Sequence, residues 1–225
     1  MTVRTARSET LTGADRPTRR RSRLPHWTIY GRLPESLRDR LDGLRIVRRL
    51  KEQVIAMPAG EVLSILDAFA AGRVGVWLAG GWGIDALTGR QTRRHVDVDL
   101  VVDTGDELAA ANLLAGAGYR FQRQLYVPGA GMPDSRVYRH RAGYRADLHP
   151  VAVHDRVGAS RDLAALRLDG FGPDSFGTGF IAGRAVGCVG PEVQIVLHGG
   201  YELRDRDLQD LEVLRALLAK SEALP

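Results

Sequence analysis

The sequence predicts a mixed α/β (α+β) domain in which helices flank a mixed central sheet, and three observations indicate it. Short apolar stretches of strand type end at glycines, as VGVWLA ends at Gly80 and Gly81. Segments with apolar residues three and four positions apart, which is typical of helices, lie between these stretches. Residues 95–103, HVDVDLVVD, intersperse acidic residues among apolar ones as a half-buried strand does. Strands and helices that follow one another in this order form a sheet with helices packed on it.

The 225 residues suffice for one domain with a core of its own. The single cysteine, Cys188, cannot form a disulfide within the chain, and its apolar neighbours indicate an inert core residue. No apolar run approaches the roughly 18–20 residues that a membrane span requires, and the N-terminus has no apolar signal segment. We therefore expect a cytoplasmic protein without a membrane partner.

The positive charge is concentrated near the N-terminus. Residues 1–50 contain 13 arginines and 5 acidic residues, a net charge of +8, whereas the whole chain carries +5. The rest of the chain therefore has a net charge of −3. A basic segment of this kind can dock on the phosphates of a nucleic acid such as tRNA, or it can be a solvated extension.

The N-terminal part divides into two segments ahead of the main domain. Residues 1–24 are polar, rich in arginine and without periodicity, which predicts a disordered basic tail. Residues 25–57 are predicted to form an amphipathic helical extension. The main domain is predicted over residues 58–225. The apolar positions that indicate the helix of the extension are Leu37, Leu41, Leu44, Val47 and Leu50.

The main domain is predicted to begin with a helix from Pro58, which suits a first helical position, to Gly72. A strand over 74–79 then runs into a short helix that Gly89 closes. A glycine-rich loop is predicted over 170–183. The other predicted helices cover residues 106–118, 191–200 and 205–219. The other predicted extended segments cover residues 95–102, 119–127, 136–141, 143–153 and a hairpin over 180–189.

Asp97 and Asp99 lie two positions apart on a predicted strand, so their side chains share one face, about 6–7 Å apart at the Cα atoms. Two carboxylates placed in this way repel each other. An isolated D-x-D pattern is ordinarily a solvated strand face, but the pair is useful where Mg²⁺ binds between its oxygens. Asp147 lies on another predicted strand, on one face with Arg145 and His149, and can supply a third acid.

Two features near the acid pair suit a phosphate group. Gly80 and Gly81 join a strand to a helix, where backbone N–H groups can approach a phosphate without a Cβ in the way. Arg93 and Arg94 precede the acid pair and offer guanidinium groups for phosphate pairing. Because the chain is rich in arginine, the alternative is that Arg93 and Arg94 are simply exposed to solvent and bind no phosphate.

The combined pattern resembles the core signature of the nucleotidyltransferase superfamily typified by DNA polymerase beta. It has the form found in small antibiotic nucleotidyltransferases that modify aminoglycosides and lincosamides. The matching pieces are G-G-W-x-x-D over 80–85, Q-T-R-x-H-x-D-x-D over 91–99, and the later strand acid Asp147. The C-terminal segment 181–214 is similar as well, and the resemblance covers about residues 60–216.

The resemblance implies a nucleotidyltransferase fold and an enzyme that moves a nucleoside monophosphate from a nucleoside triphosphate, expected to be ATP, with release of pyrophosphate. Asp97 and Asp99 would hold Mg²⁺. Asp147 would either complete the metal site or take the proton from the acceptor hydroxyl. The residues implied in nucleotide binding are Gly80, Gly81, Arg93 and His95.

The resemblance also marks candidate substrate contacts, each with a structural alternative. A tryptophan in a short helix is usually a core residue, and an acid in its first turns can simply favour the helix dipole. A histidine at a strand end is often structural, and acids three positions apart on a helix are usually solvated. The candidates are Trp82, Asp85, His198, Tyr201 and Asp207, with Asp210 as a further matched position.

Three functions follow as hypotheses. The leading one is transfer of the nucleotide to a hydroxyl of a small, cationic, antibiotic-like acceptor, which the acidic balance after residue 50 would attract. The second keeps the chemistry and takes tRNA as the acceptor, docked through residues 1–50. The third is a non-catalytic nucleotide-binding module, which the clustered acids disfavour because they repel each other without a cation.

Overall fold

The structure, a computed structural model, describes residues 37, 56–125, 135–155, 170–198 and 202–222. The predicted tail 1–24 and nearly all of the predicted extension 25–57 lie outside the described residues. The docking of tRNA on residues 1–50 therefore stays a prediction. Within the described part, no helix combines the length and the apolar character that crossing a bilayer requires.

Helices and strands alternate along the described chain much as predicted. The helices are α1 (Ala59–Ala71), α2 (Gly80–Thr88), α3 (Glu107–Gly116), α4 (Pro191–His198) and α5 (Asp205–Glu222). The strands are β1 (Trp77–Ala79), β2 (Asp97–Asp103), β3 (Tyr119–Leu125), β4 (Ser135–His140), β5 (Arg145–Val151), β6 (Phe176–Ile181) and β7 (Arg184–Val189). β1 occupies only the second half of the strand predicted over 74–79.

The strands form one seven-stranded sheet in the order β3-β4-β5-β2-β1-β7-β6. β2 pairs in parallel with β5, and β1 pairs in parallel with β7, whereas the other neighbours are antiparallel. The predicted mixed sheet flanked by helices is thus confirmed. The parallel pair of β2 and β5 positions the candidate site, because both strands carry acidic residues.

The alternation of side chains along β2 divides them between two apolar cores. Val98 and Leu100 pack in the larger cluster, together with residues of α1 and α3. Val101 packs in a smaller cluster with apolar residues of α4. Asp97 and Asp99 share the face of Val101. The acids therefore lie at the margin of the smaller core, on the side of the sheet that α4 covers.

Two predicted elements differ from the structure. Pro58, predicted as the first helical residue, is the extended N-cap of α1. The loop predicted over 170–183 is wrong for residues 176–179, which belong to β6, whereas residues 180–181 of that strand fall in the hairpin predicted over 180–189. The strand was not recognised in the sequence because Gly177 and Gly179 interrupt the alternation of residues that is typical of a strand. A Cβ at Gly179 would overlap the backbone of Ala86, so the glycine is there to let α2 pack closely on the sheet.

Candidate active site

A cavity of about 420 Å³ lies between two walls. One wall contains the first residues of β2 and β5, and the other contains residues of α4 and α5. Leu125 and Ser135, which flank residues 126–134, also line it. The predicted site residues that line the cavity are Gly80, Gly81, Arg93, Asp97, Asp99, Asp147, His198 and Asp207.

The three candidate metal-binding acids converge on one wall. Asp99 on β2 lies directly opposite Asp147 on β5, and Asp97 lies opposite Arg145. Because the two strands are parallel neighbours in register, residues opposite each other point to the same face. Asp147 is only 5% exposed, and its Oδ1 has no hydrogen-bond partner among the residues that the structure describes.

Two basic side chains of β5 face these acids. Nη2 of Arg145 forms an ion pair with Oδ2 of Asp97 and donates to Oδ2 of Asp147 at 2.9 Å. Nε2 of His149 lies 3.1 Å from Oδ1 of Asp99. Each acid of the cluster is thus already in contact with a basic group.

These surroundings move the pKa values of two acids in opposite directions. Burial raises the pKa of Asp147, Arg145 opposes the rise, and the charges of Asp99 and Asp97 add to it, so that the pKa reaches about 6. Burial also disfavours the charged form of Asp99, but its hydrogen bond with His149 and the nearby basic side chains outweigh this effect. The pKa of Asp99 is therefore lowered from its usual value.

The glycine turn, residues 79–81, brings the backbone close to the acids. Gly80 has φ of +56°, which glycine adopts without strain. A Cβ at Gly80 would overlap the carboxylate of Asp99. A Cβ at Gly81 would overlap the ring of His95 and the guanidinium of Arg93. Both positions therefore require glycine because of close approach, and the turn opens α2, whose first backbone N–H groups have no partner within the helix.

A buried network supports the glycine turn from behind. Oδ2 of Asp85 lies 2.5 Å from Nε2 of His95, and Oδ1 of Asp85 accepts hydrogen bonds from the backbone and hydroxyl of Thr92. The ring of Trp82 packs on that of His95, with centroids 5.1 Å apart. These three predicted contacts, Trp82, Asp85 and His95, are buried and do not line the cavity. Their geometry fits the structural alternative, support of the turn, and direct contact with a substrate or nucleotide stays a prediction for them.

The opposite wall holds two acids of α5, each paired with an arginine. Arg93 donates two hydrogen bonds to Asp210, at 3.1 and 2.7 Å. Asp207 accepts hydrogen bonds from the backbone, Nε and Nη2 of Arg204. Both acids are buried, at 3% and 4% exposure, so the solvated helix face considered for them is wrong. Single ligand atoms of His198, Asp207 and Asp210 lie within 4.8 Å of one another. Tyr201 lies outside the described residues.

Several residues of the cavity wall were not among the predicted site residues, and four of them contact the site acids or add polar groups. Arg145 and His149 share the face of Asp147, and the alternation of β5 already indicated this. Gln194 lies one helical turn before His198 on α4, and its Oε1 is buried without a partner among the described residues. Arg204 precedes α5, where the sequence offers no periodic signal. The i, i+4 spacing of Gln194 and His198 is the signal that could have identified the glutamine.

Comparison with known proteins relates this geometry to a family. The model of the aminoglycoside-2''-adenylyltransferase family matches residues 61–214. A lincosamide resistance protein from Staphylococcus haemolyticus is 29% identical over 157 residues, which make up 70% of this chain and 94% of that protein.

Two solved structures share the fold. The crystal structure of the lincosamide antibiotic adenylyltransferase LnuA with bound lincomycin matches with 27% identity and a TM-score of 0.55, over 72% of this chain and 99% of LnuA. The crystal structure of ANT(2'')-Ia in complex with adenylyl-2''-tobramycin matches with 20% identity and a TM-score of 0.57, over 73% of this chain and 91% of that chain.

The family match covers most of the described domain and includes the glycine turn, the acid pair and the third acid. It confirms the resemblance that the motifs indicated, and the solved structures confirm the nucleotidyltransferase fold. A purely non-catalytic module is thereby set aside in favour of an enzyme. The chain belongs to the aminoglycoside-2''-adenylyltransferase family, and with it to the antibiotic nucleotidyltransferases.

Proposed function

We propose that this protein is a magnesium-dependent adenylyltransferase that transfers a nucleoside monophosphate from ATP to a hydroxyl of a small antibiotic. The observation that carries the proposal is the convergence of Asp97, Asp99 and Asp147 beside the glycine turn, at one wall of a cavity large enough for small ligands. Membership of the family supports the same activity.

The acid cluster fits a divalent cation. Carboxylate oxygens are the ligands that Mg²⁺ prefers, and Asp147 presents a buried Oδ1 that lacks a partner in the described part of the chain. Asp97 and Asp99 supply the other carboxylates. When bound, the ion would neutralise charge on the phosphates of the nucleotide and stabilise the charge that develops during transfer.

The glycine turn and Arg93 form the proposed phosphate-binding side. The backbone N–H groups at the start of α2 favour an anion, and the absence of Cβ atoms at positions 80 and 81 lets Asp99, His95 and Arg93 pack against the turn. Arg93 lines the same cavity, and Asp210 fixes its guanidinium with two hydrogen bonds. Arg93 is thus held in place before a substrate arrives, which lowers the cost of ordering it on binding.

Asp147 has two candidate roles, metal ligand and proton acceptor for the acceptor hydroxyl. A pKa of about 6 leaves it mostly ionised at neutral pH and able to accept a proton. Substitution Asp147→Asn separates the two roles. Loss of divalent-cation affinity would assign it as a ligand, whereas loss of turnover with unchanged cation affinity would assign it as the base.

The wall formed by α4 and α5 is the proposed acceptor side. Its cavity-lining residues include His198, Asp207 and Asp210, and Oε1 of Gln194, which has no partner among the described residues, adds a hydrogen-bond acceptor. Carboxylates and amide oxygens suit an acceptor that carries amino and hydroxyl groups. The relatives with the higher identity are a lincosamide resistance protein and a lincomycin-bound enzyme, so a lincosamide is the first acceptor to test.

The test is a panel of lincosamides and aminoglycosides incubated with the protein, Mg²⁺ and each nucleoside triphosphate in turn. We expect release of pyrophosphate that depends on the acceptor, and an acceptor whose mass increases by one nucleoside monophosphate. Asp99→Asn should abolish both signals. Pyrophosphate release that no acceptor in the panel increases would contradict the proposal.

A further inference from the structure

We propose that Arg145 is a positioning residue that holds Asp97 and Asp147 together in the absence of a metal ion and competes with the divalent cation for them. The inference rests on the proposed metal-dependent function and adds to it a determinant of metal affinity. It concerns a side chain outside the sequence motifs that carry the resemblance to the family.

The position of Arg145 in the sheet explains the contact. It lies on β5 directly opposite Asp97 and two residues before Asp147, so all three side chains share one face. A single nitrogen, Nη2, forms the ion pair with Asp97 and donates to Asp147 at 2.9 Å. One guanidinium therefore bridges carboxylates that belong to two different strands.

The charge of Arg145 replaces part of what a metal ion would supply. Three carboxylates on one wall of the cavity repel each other, and arginine keeps its positive charge under all ordinary conditions. Arg93 and Arg204 also reach this cavity, but their carboxylate pairs are with Asp210 and Asp207 on the opposite wall. The bridge by Arg145 thus lowers the repulsion within the metal-binding cluster itself.

The bridge leaves one oxygen of Asp147 without a partner. Arg145 contacts Oδ2 of Asp147, whereas Oδ1 of that residue is buried and has no hydrogen-bond partner within the described ranges. An ion that displaces the neighbouring side chains can therefore bind one oxygen of Asp147 while Arg145 keeps the other. It must still bind beside a fixed positive charge. We infer that the free enzyme binds the ion weakly and that the phosphates of the nucleotide supply the missing negative charge.

The experiment measures Mn²⁺ binding to the metal-free full chain, by electron paramagnetic resonance of the unbound ion, with and without ATP. The variants are Arg145→Met, which removes the charge at similar length, and Arg145→Lys, which keeps it. Arg184→Met is the matched control, because this exposed arginine pairs with Asp67 at a distance from the cavity. It removes the same charge without touching the cluster.

We expect Arg145→Met to bind Mn²⁺ about tenfold more tightly than the wild type when ATP is absent, because a neighbouring positive charge is gone. Arg145→Lys and Arg184→Met should bind it with nearly wild-type affinity. The thermal unfolding midpoint of Arg145→Met in chelator should fall below that of the wild type and recover when Mn²⁺ is added. If this variant folds only with metal, its affinity is measured by competition with a chelator of known strength.

Two outcomes would overturn the claim and can be told apart. Mn²⁺ affinity of Arg145→Met equal to or weaker than that of the wild type would mean that Arg145 does not compete with the ion, and this leaves the proposed function intact. A wild-type protein that fails to bind Mn²⁺ even with ATP present would instead refute the metal-dependent function on which the inference rests.

Discussion

Oδ2 of Asp85 lies 2.5 Å from Nε2 of His95, and both side chains are buried beneath the glycine turn. The contact joins α2 to the segment that leads into β2, ten residues further along the chain. The ring of His95 fills the space that a Cβ of residue 81 would need. Asp85 holds this ring in place and thereby supports the glycine turn. A residue that never lines the cavity can in this way control its shape.

Substitution Asp85→Asn should weaken both folding and substrate binding. The amide would face Thr92 or His95 with the wrong hydrogen-bonding group, and each buried group left unsatisfied costs about 1–3 kcal/mol. We expect a lower unfolding midpoint by differential scanning fluorimetry and a raised KM for the nucleotide. Asp67→Asn, on the exposed face of α1, is the control and should change neither value appreciably. Equal behaviour of the two variants would argue against the supporting role.

Gly81→Ala should abolish most of the activity. The new Cβ would overlap the ring of His95 and the guanidinium of Arg93, which displaces the proposed phosphate-binding side. Gly60→Ala is a matched control, because Gly60 is likewise the second residue of a helix, and a Cβ there meets nothing within 4 Å. Steady-state kinetics should show a loss of kcat/KM of about 100-fold for the first variant. The control should retain activity and gain slightly in stability.

Asp147→Asn should stabilise the metal-free protein at neutral pH. The folded-state pKa of Asp147, about 6, lies above its ordinary value of 3.8, so its ionised form is disfavoured by folding. That loss of stability is absent below about pH 4, develops as the pH rises towards 6, and is complete above it. The variant should therefore exceed the wild type by at most about 3 kcal/mol at pH 7.

Unfolding midpoints measured between pH 4 and 8 in the presence of a chelator check this expectation. The difference between the two proteins should shrink towards zero at the acidic end. Added Mg²⁺ should raise the midpoint of the wild type and leave that of Asp147→Asn nearly unchanged if Asp147 is a ligand. A variant less stable than the wild type at pH 7 without metal would contradict the assignment of the raised pKa.

Arg93 and Asp210 should act as one unit in nucleotide binding. Asp210 holds the guanidinium of Arg93 through two hydrogen bonds, so Asp210→Ala leaves Arg93 unfixed and Arg93→Ala leaves a buried carboxylate unpaired. We expect each single variant to raise the KM for the nucleotide, and the double variant to cost little more than either one. A coupling free energy of about 0.5–3 kcal/mol from a double-mutant cycle is the expected result.

The ion pair of Arg136 with Glu107 serves as the control for the double-mutant cycle of Arg93 and Asp210. It joins β4 to α3, and Arg136 does not line the cavity. Glu107→Ala should therefore leave the nucleotide KM unchanged. Strictly additive effects of the Arg93 and Asp210 substitutions would show that the two residues contribute independently.

The sequence was sufficient to predict the chemistry-bearing strand and the third acid. Period-two alternation places Asp97 and Asp99 on one face, and the same rule places Asp147 on one face with Arg145 and His149. These are local properties that any strand imposes on its side chains. The register that puts Asp99 opposite Asp147 depends on pairing between strands far apart in sequence, and local pattern does not determine it.

Contacts outside the helical pattern explain why three acids differ from what their spacing indicates. Asp207 and Asp210 have the spacing of an exposed helix face, but both are buried, Asp207 paired with Arg204 and Asp210 with Arg93. Asp85 has the spacing of an ordinary helical acid, but it is buried in contact with Thr92 and His95. Arg204 lies only three residues before Asp207, whereas Arg93 and His95 lie outside the helices that carry their partners, and helical spacing alone predicts none of these contacts.

Leu125 and Ser135, which flank residues 126–134 in the sequence, lie opposite each other where β3 and β4 meet the cavity. The pairing of β2 with β5, which aligns the acids, lies further inside the sheet and does not involve that segment. Changes in the length or sequence of residues 126–134 would therefore leave the alignment of the acids unaltered. Exchanging this segment between relatives would test whether the choice of acceptor can change separately from the reaction centre.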